Sequence, residues 1–104
     1  MSEAQSEASR VLGARVRDAR VALALSQEET AHLAGMNVSN YGKIERGMGN
    51  PSLHTIVRIA AVLGVDPGGF TRGLRGDQLP ERRAVYTAAD YVRERERERS
   101  ERRS

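Results

Sequence analysis

The sequence predicts an all-α fold, and three features of its first 74 residues predict it. Apolar side chains recur at steps of three and four, as at Leu12, Val16, Ala19 and Leu23 and again at Leu53, Ile56, Ile59, Ala60 and Leu63, which places each set on one helix face. Short polar residues suited to capping stand ahead of such runs, at Ser26, Asn37 and Asp66. Glycine follows them, at Gly35 and Gly64.

Taken in order, residues 1–7 are small and polar and are expected to form a flexible arm. The first helix runs from about 7 to 24, burying Leu12, Val16, Ala19 and Leu23. The second starts behind Ser26, with Glu28 and Glu29 in its first turn, where carboxylates suit the positive end of the helix dipole. Ala31 and Ala34 are small where two helices must approach, and Leu33 is the expected main anchor. After about three connecting residues Asn37 opens a third helix, with Tyr41 and Ile44 inward and Val38, Ser39, Asn40 and Lys43 outward. A glycine-containing loop at 48–50 leads to Pro51 and Ser52, which open a fourth helix. Asp66 followed by Pro67 announces a short fifth through Phe70 toward Leu74, weakened by Gly68 and Gly69 at a cost of about 2 kcal/mol against alanines.

The domain is thus expected over 8–74, followed over 75–104 by a linker and an arginine-rich extension, helical or partly disordered. Thr87 to Asp90 form a capping-box pattern with Asp in place of Glu. In the run that follows, strict Glu/Arg alternation sets opposite charges at i,i+3 and like charges at i,i+4, so residues 93–104 are expected to fray.

Composition excludes several classes. The chain of 104 residues has room for one domain and a tail. It has no cysteine, hence neither a disulfide framework nor a thiolate metal site. The sequence lacks both an apolar run of about 18 residues and a signal-peptide pattern, so no membrane association and a cytoplasmic location are expected. His32 and His54 are single, and Ser39 has no histidine partner in a nucleophile arrangement; no metal, cofactor or enzymatic activity is expected. The net charge of +3 arises in the tail, where residues 72–104 hold ten arginines against seven acids, while residues 1–71 balance at seven each. Charge alone is therefore weak evidence for a nucleic-acid partner.

From residue 12 to residue 65 the chain resembles the lambda-repressor-like helix-turn-helix superfamily of the XRE/Cro type. The resemblance is carried by LSQEE at 25–29, AG at 34–35, KIERG at 43–47, NPSL at 50–53 and IAAVLGV at 59–65. Thr30 departs from it, standing where relatives usually carry Leu, which implies a looser seam. The resemblance implies a five-helix DNA-binding domain. It implies base reading from Val38, Ser39, Asn40 and Lys43, for which Asn can pair adenine N6 and N7, Lys can donate to guanine, and Val can pack on a thymine methyl. It implies phosphate contacts at Gln27, Arg46, Gly49 and Asn50, although the loop glycine equally serves the turn. Arg20 and Glu45 correspond to a partly buried salt bridge tying the first helix to the third.

The expected function is sequence-specific transcriptional regulation, as a repressor, by a homodimer on an inverted repeat of double-stranded DNA. Phe70 and Leu74, or the stripe Val85, Ala89 and Val92, are candidate dimer surfaces. An antitoxin or restriction-modification controller would share the domain, and a protein-interaction module that reads no DNA is the alternative from another class.

Overall fold

Capping side chains set where the helices begin. The computed structural model describes residues 4–80 and 86–103. In helix α1 (Glu7–Ala22) the Ser6 hydroxyl accepts from the Ser9 amide, and in α2 (Gln27–Leu33) Ser26 and Glu29 form a reciprocal capping box. Asn37 caps α3 (Val38–Glu45) by accepting from the Ser39 and Asn40 amides, and Ser52 caps α4 (Leu53–Leu63). The short α5 (Gly68–Thr71) receives the Asp66 carboxylate on the Gly68 amide. Thr87 and Asp90 exchange hydrogen bonds at the start of α6 (Ala88–Arg103).

The core consists of Leu12, Val16, Ala31, Tyr41, Ile44, Ile59, Ala60, Leu63 and Phe70. Helix α1 packs against α3, α4 and α5, and α2 against α3 and α4. The α1–α3 crossing is close enough to demand glycine: a Cβ on Gly13 would lie 2.2 Å from the Ile44 carbonyl oxygen. Despite its two glycines α5 is held, because the Arg15 guanidinium donates to the Phe70 and Arg72 carbonyls at 3.2 and 2.7 Å, groups a helix end leaves unpaired.

Several expectations need correction. Leu33 does not anchor α2; it is 60% exposed. It sits two residues beyond buried Ala31, about 200° further round the helix. Thr30 fills the seam instead, fully buried, with its hydroxyl donating to the Ser26 carbonyl, so no polar group is orphaned. Leu23 lies past the end of α1 and is half exposed, and Leu25 packs on the core in its place. Leu53, the first residue of α4, is exposed. Phe70 points into the core, which removes it from the candidate dimer surfaces. The arm is not free up to residue 7, since the Gln5 amide donates to the Gly47 carbonyl and Ser6 is buried.

Within the expected linker, Gly76–Gln78 form a 3-10 turn. The tail does not fray at residue 93: α6 continues to Arg103. Each acid placed three residues before an arginine pairs with it, as in Asp90–Arg93, Glu94–Arg97 and Glu96–Arg99, so the i,i+3 attractions are realised along its exposed surface. Val85 lies outside the described residues; Ala89 and Val92 are exposed.

Candidate nucleic-acid interface

Four residues separate α2 from α3. Gly35 takes φ +65°, a left-handed conformation that glycine adopts without strain, and the Met36 amide closes back on the Ala31 carbonyl at 2.8 Å. Asn37 then starts α3 in a new direction. Helix α3 divides cleanly: Tyr41, Ile44 and Glu45 are buried, and Val38, Ser39, Asn40 and Lys43 are exposed.

The outward side chains are free to meet a ligand. Among the described residues, neither the Asn40 amide group nor the Lys43 ammonium hydrogen-bonds or pairs with another side chain. Asn40 and Lys43 line one open cleft with Gly49 and Asn50 of the loop into α4, flanked by Met36 and Thr55. The structure thus gathers two of the expected base readers and two of the expected loop contacts on one surface.

Behind that surface lies a charged hub. The Arg20 guanidinium grips both Glu45 oxygens at 2.7 and 3.0 Å and donates to the Leu25 carbonyl at 2.8 Å. The two side chains are 12% and 2% exposed, so the pair is buried rather than superficial. Burial pushes the Glu45 carboxyl up, but the hydrogen bonds from Arg20 and the Gln27 amide, with the Tyr41 hydroxyl close by, outweigh it and hold the group below its ordinary value. The same carboxylate raises Arg20. Burial first, then Glu45, drives the Tyr41 phenol well above its usual range, and its hydroxyl makes no aligned hydrogen bond.

Gln27, expected at phosphate, is partly committed: its Nε2 donates to Glu45 Oε1 at 2.9 Å, leaving one N–H available. Arg46 is exposed at the end of α3, and its guanidinium lies back over Gly42. No acid among the described residues pairs with it. Gly13 lets α1 approach α3, and Gly42 lies beneath the Arg46 and Gln27 side chains; neither follows from the motif spacing. An interior glycine in so short a helix was the available signal at residue 42.

Residues 16–70 match the helix-turn-helix family. The chain is 30% identical over 63 residues to the SPbeta prophage-derived uncharacterized HTH-type transcriptional regulator YonR of Bacillus subtilis (strain 168), a match covering 61% of this chain. It spans 58% of that relative's length, less than two thirds. Among solved structures, it is similar to the restriction-modification controller protein C.AhdI from Aeromonas hydrophila, with 39% identity, TM-score 0.58, and coverage of 60% of this chain and 94% of that one. It is also similar to the hypothetical transcription factor NHTF from Neisseria, with 33% identity, TM-score 0.59, and coverage of 61% and 72%.

Proposed function

Since this chain belongs to the helix-turn-helix family, with the hub and the outer face of α3 inside its matched segment, we propose that it is a transcriptional repressor reading double-stranded DNA through α3. The family is one of transcription regulators, not enzymes. The observation that carries the reading is the outer face of α3, exposed and without side-chain partners among the described residues, set on a buried inner face. Such a helix can enter the major groove with Val38, Ser39, Asn40 and Lys43 toward base edges. Arg46, Gly49, Asn50 and the free N–H of Gln27 then meet flanking phosphates.

A homodimer on an inverted repeat follows from the size of the reader. One short helix spans about four or five base pairs, too few for a genomic address, and two half-sites multiply the discrimination. No described helix is long and apolar enough to cross a membrane, which agrees with action in the cytoplasm.

Selection of bound sites from a random duplex library is expected to return a two-fold symmetric consensus. On that site Asn40→Ala loses about 1–3 kcal/mol and relaxes preference at one base pair per half-site, with little change on random DNA. Equal losses on both duplexes refute base reading by Asn40.

A second reading is a restriction-modification controller, favoured by the similarity to C.AhdI over 94% of that protein. Both readings share the duplex chemistry. They part at the genes flanking the selected site, which for a controller encode a methyltransferase and a nuclease.

A further inference from the structure

Gly42 stands inside α3, where glycine weakens a helix relative to alanine. No left-handed backbone demands it, since among the glycines of positive φ Gly42 does not figure. What it provides is space. A Cβ at residue 42 would stand 3.0 Å from Arg46 Nη1, 3.7 Å from Arg46 Cζ and 3.5 Å from Gln27 Oε1, so a guanidinium and an amide oxygen lie together over bare backbone. The orientation of Gln27 is itself fixed, because its Nε2 donates to Glu45.

From these contacts we infer that Gly42 is a positioning residue for DNA binding: the missing side chain lets Arg46 lie across α3 beside Gln27, held ready for one backbone phosphate. The inference rests on the reading of Arg46 as a phosphate contact. An arginine at the end of a helix ordinarily swings through many rotamers and loses that freedom on binding. Seated over Gly42, it has lost part of it beforehand, which is the gain that preorganisation brings.

The contrast with Gly13 makes the idea testable. A Cβ at Gly13 meets the backbone of Ile44 and Glu45, which cannot step aside. At Gly42 the nearest atom is the far end of a flexible side chain. Alanine therefore fits at 42 once the Arg46 guanidinium gives by a few tenths of an ångström, so the fold survives while the close seat of Arg46 over the helix is disturbed.

The full chain is measured against a random-sequence duplex of about 20 base pairs over a range of salt, as wild type, Gly42→Ala, Arg46→Ala and the double variant. Gly42→Ala is expected to raise the thermal midpoint by about 4–8 °C while weakening binding about three- to tenfold. Arg46→Ala is expected to weaken binding about tenfold and to lower the salt slope by about one. If Gly42 acts through Arg46, the double variant binds no more weakly than Arg46→Ala alone. Wild-type affinity in Gly42→Ala, or the same loss with and without Arg46, overturns the inference and leaves the DNA-binding reading standing. Unchanged affinity and salt slope in Arg46→Ala overturn the phosphate contact and this inference with it.

Discussion

A carboxylate as buried as Glu45 stays ionised only if its surroundings replace the water it has lost. Arg20 supplies a bidentate contact and Gln27 a third hydrogen bond, and their sum overcomes the desolvation that would favour the neutral acid. Removing either member alone strands the other charge, so Arg20→Ala or Glu45→Ala is expected to cost about 3–5 kcal/mol in chemical denaturation, with the double variant losing less than the two together. A coupling near zero would show the pair to be a bystander. The pH dependence has a definite sign. Because the folded Glu45 carboxyl titrates below its reference of 4.5, its contribution is complete above that value and is lost as pH falls through the lowered folded value. Wild-type stability should therefore decline more steeply below about pH 4.5 than that of the double variant. An equal decline in both would place the acid sensitivity elsewhere.

Helix α5 is the element whose existence depends most on a distant residue. Its two glycines, four-residue length and lack of a buried residue besides Phe70 would leave it marginal, and Arg15 of α1 holds its end by donating to two carbonyls. Arg15→Met keeps the aliphatic stem and removes those donors, so it should cost about 1.5–3 kcal/mol and loosen hydrogen-exchange protection around residues 70–74 before the rest. Uniform loss of protection would mean that α5 is not a separate unit. The element boundaries were legible in sequence because caps and stops are local: Ser26, Asn37, Gly35 and Gly64 act on neighbours within a turn. Burial was less legible. Leu33 and Leu53 are apolar and periodic, yet both sit at helix ends where the face turns away from the core, and Thr30 is polar but satisfies itself within its own helix. The site followed the same division. The outward residues of α3 follow from spacing alone, whereas the contacts of Arg15 and Gly13 depend on what another helix brings within reach, and that of Gly42 on how the Arg46 side chain folds back.

At the scale of the whole molecule the open matter is what α6 contributes. It has no buried side chain, its polar residues run all the way round, and its Tyr91 ring is covered by Arg95 at 5.8 Å instead of by another helix. Beyond Gly76 the chain carries eight arginines against seven acids, so removing it hardly changes the charge presented to DNA. A chain ending at Gly76 should therefore keep its thermal midpoint to within about 2 °C and bind random duplex with nearly the wild-type salt slope. The dimer makes a sharper demand. A stable interface buries about 1,200–2,000 Å² around an apolar centre, and α6 offers only Tyr91 and Val92 among its charges, whereas the body exposes Leu53 and Val57 one turn apart on α4. Light scattering of the truncated protein is then expected to return the mass of two chains, and its preference for a full operator over a half-site should persist. A fall to one chain, with that preference lost while half-site binding is kept, would place the interface on α6 and make its Glu/Arg stripes the pairing surface.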